Sequence, residues 1–133
     1  MDAIEREITV TWQHQVHFTE GVFDPANPLL KDVIMAGGEQ PPHKVFIVLD
    51  EGLVRFGVDK AIGKYFAAHS AELNLVRPPM VMEGGERVKN SYFHVSEVHS
   101  QIDRYHIDRH NYLICVGGGA ILEGMPEIAE QIF

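Results

Sequence analysis

Three consecutive glycines, Gly117-Gly118-Gly119, directly follow the apolar run Tyr112-Leu113-Ile114-Cys115-Val116. Residues without a Cβ let backbone N–H groups approach an anion closely, and they tolerate φ > 0. A helix beginning just after them would add the positive end of its dipole. Such a turn is suited to holding phosphate. The same residues would also serve a tight strand-to-helix turn that binds nothing.

Two further segments carry polar groups at the ends of apolar runs. Gly84-Gly85-Glu86-Arg87-Val88-Lys89 follows Met80-Val81-Met82 and opens an expected helix. Lys89 falls in the first turn, where a cation is disfavoured by a few tenths of a kcal/mol. From there its ammonium would reach back over the loop to a pyrophosphate; otherwise it is a solvated lysine beside Glu86. Asp50 ends the apolar run Val45-Phe46-Ile47-Val48-Leu49. An acidic residue there accepts both hydroxyls of a ribose, or caps the helix that follows.

Other constellations are weaker. The glycine triplet fails the dinucleotide fingerprint G-x-G-x-x-G, because Leu122 stands where the third small residue belongs. His106-x-x-x-His110 has ligand spacing for a helix, but Asp108-Arg109-His110-Asn111 reads as a helix terminus and loop. His14 and His17 would face opposite sides of a strand, and the eight histidines read as structural. No Ser/His/Asp set or carboxylate pair stands out.

The elements that must position these groups follow from periodicity. Residues 8–18 alternate like a strand, and 18–23 continue an N-terminal hairpin or extended edge. Asn27 as N-cap and Pro28 at N1 start a helix carrying Leu29, Leu30, Val33 and Ile34, which Gly37-Gly38 ends. Pro41-Pro42 is a linker. Residues 44–50, apolar on both faces, form a central parallel strand. A helix over about 52–70 repeats Val54, Val58, Ile62 and Phe66, with Ala61 and Tyr65 alongside. The second strand lies within 74–76 or, better, 80–82 after Pro78-Pro79. The next helix covers about 87–106 with a stripe of Val88, Tyr92, Val95, Val98 or His99, Ile102 and Tyr105. Residues 112–116 are the third strand.

This alternation predicts one α/β domain over residues 1–133: a Rossmann-like three-layer fold with a mostly parallel sheet and an antiparallel N-terminal edge hairpin. In such sheets ligands bind at the carboxyl ends of the strands. The loops at 50–52, 83–86 and 117–119 would converge there.

Composition limits the partners. The net charge is -8, from 11 Lys and Arg against 19 Asp and Glu, with no basic cluster, so nucleic acid is not expected. No apolar stretch approaches the roughly 20 residues that span a bilayer, and no membrane partner is expected. The acidic start Met1-Asp2-Ala3-Ile4-Glu5-Arg6-Glu7 lacks the apolar core of a signal peptide. The single Cys115 reads as a small buried residue in a reducing, cytoplasmic compartment.

Together the three segments resemble a family. Gly85-Glu86-Arg87-Val88-Lys89 is similar to the G-E-x-x-K loop of 3-dehydroquinate synthase and its sugar phosphate cyclase relatives. Gly117-Gly118-Gly119-Ala120-Ile121-Leu122-Glu123 resembles that family's G-G-G-x-x-x-D segment, with Glu123 in place of Asp. Order and spacing agree with Asp50 as the first nucleotide contact, over roughly residues 8–123. The resemblance implies NAD binding through Asp50, Gly85, Glu86, Lys89, Gly117, Gly118, Gly119, Ala120 and Glu123. In the family NAD is a recycled oxidant in the cyclisation of a sugar phosphate with loss of phosphate, and zinc or another divalent metal polarises the reacting oxygen. The metal ligands lie in a helical C-terminal domain that this chain does not contain, and residues 124–133 read as a divergent or truncated end. The expectation is an NAD-binding half, inactive alone, with a homodimer formed through the surface left open. The alternatives are a small α/β interaction or scaffold module and a fragment related to NAD-dependent dehydrogenases.

Overall fold

In the computed structural model, residues 14–38, 40–83 and 92–118 are described, the side chains of 92–95 excepted. Strand β1, His43–Asp50, is the centre. Val45, Phe46, Ile47, Val48 and Leu49 are all at most 1% exposed, as the two-sided apolar run predicts. Strand β4 in sequence numbering is Tyr112–Val116. It runs parallel to β1, with Val45 opposite Tyr112 and Leu49 opposite Val116.

Two short strands complete the sheet, β2 (Leu73–Leu75) and β3 (Met80–Met82), both parallel to β1. Val45 pairs with both Leu75 and Tyr112, and Val48 with both Met80 and Cys115. β2 and β3 therefore share the edge of β1 opposite β4. They are one strand with an interruption at Val76-Arg77-Pro78-Pro79. His43 and Val48, five positions apart, face Leu73 and Met80, seven positions apart, so two residues are extra. An even excess preserves the two-residue alternation of faces. Both alternatives for the second strand thus form, in succession.

The sheet carries helices on both faces. Phe46 and Val48 of β1 join Met80, Met82, Val98, Ile102 and Ile107 in one core, under helix α3 (Tyr92–Arg104). Val45, Ile47 and Leu49 join Ile34, Ile62, Tyr65, Phe66 and Leu73 in the other, under α1 (Leu29–Met35) and α2 (Val58–Ala68). This is an α/β architecture, and every described strand pairing is parallel. On α3, Val98 faces the core, while His99 is exposed and pairs with Asp103.

The loop before α1 is bound to α2 by side chains. The Asn27 carboxamide donates to the Thr19 hydroxyl and to the Glu20 and Gly21 carbonyls, and its Oδ1 accepts from Leu29 N–H. Where Asn27 is expected as N-cap and Pro28 at N1, the helix starts at Leu29 with Pro28 as its N-cap, and Asn27 Oδ1 accepts from Leu29 N–H from one position earlier. The Tyr65 hydroxyl donates to the Asn27 carbonyl and accepts from Lys31 N–H.

Two further expectations change. The helix over 52–70 is divided into a 3-10 helix, Glu51–Phe56, and α2, because Gly57 takes a left-handed φ of 75° that breaks the helical path. The turn also moves Val54 off the core face, and Leu53 packs there instead. No strand forms over 14–23: residues 14–19 lack regular structure, and Val16 and Phe18 are exposed with no described strand beside them. Alternation alone does not make a strand without a partner. The rest of the expected hairpin, residues 8–13, lies outside the described residues.

Gly37 closes α1 against β4. A Cβ there would overlap the Tyr112 hydroxyl, which donates to the Ile34 carbonyl. Gly37→Ala should lower unfolding stability by about 1–3 kcal/mol in urea titration. Tyr112→Phe in the same chain should recover part of that loss. Gly63→Ala, in α2 with open space at its Cβ position, should instead gain up to about 1 kcal/mol.

Candidate functional site

Because β1, β3 and β4 run parallel, their carboxyl ends lie along one edge of the sheet. Asp50 is opposite Met82, and Leu49 is opposite Val116. Asp50, the last residue of β1, is thus paired with Met82, the last residue of β3, while Gly117 follows Val116, the last residue of β4, on the other side of β1. Of the nine expected cofactor contacts, Asp50, Gly117 and Gly118 are among the described residues. Gly85, Glu86, Lys89, Gly119, Ala120 and Glu123 lie outside them.

Asp50 performs the local task foreseen for it. Its Oδ1 accepts from Gly52 N–H at 2.9 Å and caps the 3-10 helix. Among the described residues, no hydrogen bond engages its Oδ2. The half-buried carboxylate thus keeps one acceptor free at the sheet edge.

Gly118 carries information that the sequence alone did not. Its φ is outside the left-handed region, and a Cβ placed on it would meet nothing within 4 Å. Among the described residues, neither backbone strain nor close packing requires glycine here. No described residue fills the space beside its backbone, which is what a close-approaching anion would need. Asp50 and Gly118 are therefore compatible with a dinucleotide, the acid toward a ribose hydroxyl and the glycine toward a phosphate.

The histidine-rich corner is arranged otherwise. α3 ends at Arg104, His106 takes φ 55°, and a turn follows. In that turn His110 N–H donates to the Asp108 carboxylate and Asp108 N–H donates to the Asn111 side chain. His106 and His110 are not on one helix, which removes the geometry of a paired ligand. Among the described residues, no three His, Cys, Asp or Glu side chains are grouped so that they could hold a metal ion. None of the described helices is long and apolar enough to cross a membrane.

Four open clefts of about 340 to 550 Å³ are lined by described residues, and none of these four includes Asp50, Gly117 or Gly118. Two of them share Arg77, for which the sequence pattern suggested no role because Pro78-Pro79 read as a lead-in to a strand. No protein-family model matches the chain, and neither a curated protein nor a solved structure was found similar to it.

Cys115 lies two positions before the glycines, packed against the core under α3. Burial pushes its thiol from 9.0 up to about 11. At pH 8 the thiolate fraction falls from about one-tenth for an ordinary thiol to about one-thousandth. An aromatic disulfide reagent should therefore label native Cys115 roughly 100-fold more slowly than the urea-unfolded chain. The sign for stability follows: the unfolded thiol ionises first, so stability is intact below pH 9 and declines as pH rises toward about 11.

Proposed function

We propose that this chain is an NAD-binding domain of the kind found in 3-dehydroquinate synthase and related sugar phosphate cyclases, with a Rossmann-like arrangement of strands and helices. The observation that supports this most is the register of β1 with β4. It sets Asp50 beside Gly117-Gly118 at adjacent carboxyl ends of a parallel sheet, where nucleotides bind in open α/β folds. The G-E-x-x-K and G-G-G segments supply the family resemblance.

In this reading Asp50 Oδ2 accepts a hydrogen bond from a ribose hydroxyl, and the backbone at Gly117 and Gly118 faces the pyrophosphate. Lys89 would supply a cation to the pyrophosphate, as the resemblance implies. Bound NAD would supply hydride acceptance and return. Turnover of a sugar phosphate is not proposed for this chain alone, because the family's metal and substrate residues belong to a further domain.

A reading with no ligand has one specific observation in its favour. Asp50 already caps Gly52, which is sufficient reason for an acid at that position. The chain would then be a small α/β interaction module whose glycines serve the turn.

Calorimetric titration with NAD separates the two. The binding reading expects saturable heat at millimolar or lower NAD. Asp50→Asn retains the cap acceptor but replaces the second oxygen with a donor, so it should weaken NAD by about tenfold with little change in unfolding midpoint. Gly118→Ala should also weaken NAD while leaving stability within about 0.5 kcal/mol of the parent, since its Cβ meets only open space. No heat and no thermal shift at millimolar NAD would leave the interaction module as the better reading.

A further inference from the structure

The interruption between β2 and β3 brings Arg77 to the edge of the sheet, where its guanidinium turns toward α3. Two neutral acceptors hold it there. Nε donates to the Pro78 carbonyl at 2.9 Å, and a terminal nitrogen donates to Gln101 Oε1 of α3 at 2.9 Å. These bonds fix the plane of the fork and leave three of its five N–H groups.

A cleft of about 340 Å³ lies between this edge and α3. Arg77, Gln101, Ser100 and Glu97 supply its polar lining, and Met80 and Val81 its apolar lining. Glu97 and Gln101 are four positions apart on α3, so they share one helix face and lie about 6 Å apart along its axis. The neutral amide, and not the carboxylate one turn away, receives the guanidinium. Among the described residues, neither Arg77 nor Glu97 forms an ion pair, with the other or with a third group. The cleft therefore presents a cation fixed at Gln101 and an anion about one helical turn from it.

We propose that this cleft binds a small zwitterion, an α-amino acid with a short aliphatic side chain. Arg77 takes the carboxylate through its remaining N–H groups, since a planar guanidinium matches two carboxylate oxygens. Glu97 takes the ammonium. The two charged groups of such a ligand sit on one carbon, and a hydrogen bond of about 2.8 Å at each end lets it span a gap of the order that one turn provides. The Ser100 hydroxyl lies on the same face and serves either group. A simple anion would meet Glu97 and a simple amine would meet Arg77, so the lining favours a ligand that carries both charges. The volume is at the small end of sites that hold organic molecules. The cleft includes none of Asp50, Gly117 and Gly118, and the inference does not rest on NAD binding.

The probe is L-norvaline, titrated into the full chain at low ionic strength and followed by amide NMR shifts. N-acetyl-L-norvaline, which lacks the ammonium, and L-norvaline amide, which lacks the carboxylate, are titrated beside it. Saturable shifts at Arg77, Ser100 and Gln101 are expected at millimolar norvaline, with each blocked analogue about tenfold weaker. Arg77→Gln and Glu97→Gln should each weaken norvaline about tenfold. If Arg77→Gln does not fold, the exposed Glu97→Gln and the two analogues still decide. Shifts that do not saturate, a blocked analogue that binds as well as norvaline, or either folded variant binding as before would each overturn the proposal.

Discussion

Strand β1 is buried on both faces and hydrogen-bonded along both edges, and the other described elements take their positions from it. Its odd residues from Val45 to Leu49 form the floor under α1 and α2, and Phe46 and Val48 form the floor under α3. At roughly 25 cal/mol per Å² of apolar surface, two-sided burial makes these five residues the densest source of hydrophobic stabilisation in the sheet. A one-residue slip against either neighbour would move each inward side chain of the slipped strand to the wrong face. The register that places Asp50 beside the start of the glycines is thus specified by packing some distance from that edge.

The same constraint explains the interrupted strand. Pro78 and Pro79 have no N–H to donate, so a continuous ladder through them is unavailable. The chain keeps its pairing by looping out two residues and resuming at Met80. Since the excess is even, Leu73 remains in one core and Met80 and Met82 enter the other. Arg77 is carried to the sheet edge by this device, where Gln101 of α3 receives it.

What was legible in the sequence was what local pattern decides. The two-faced run at 45–49 and the apolar spacing of Ile62 and Phe66 form as read. The misses occur where a pattern needed a partner or a backbone angle. Val16 and Phe18 alternate correctly, yet no described strand covers them. Val54 continues the four-residue repeat, but the left-handed Gly57 puts it on a separate 3-10 turn. At the strand ends, the acid and the glycines were visible as residue types. That Gly118 needs no glycine for its own conformation was not, because only the backbone angle and the neighbouring described residues show it.

Asp50 shows why a local role and a ligand role need not compete. An unconstrained aspartate must be ordered when it takes up a ribose, and ordering a side chain costs free energy. Here the bond from Gly52 N–H to Oδ1 has already restricted the carboxylate in the folded chain. Among the described residues, Oδ2 is left as the acceptor without a partner, at the edge where β3, β1 and β4 all end. The cap would thereby lower the entropic cost of the contact it superficially replaces, since a fixed acceptor binds with less loss of freedom than a mobile one. A capping acid at the carboxyl end of a buried parallel strand is in this sense a suitable starting point for a nucleotide site, and the packing of β1 is what holds it there.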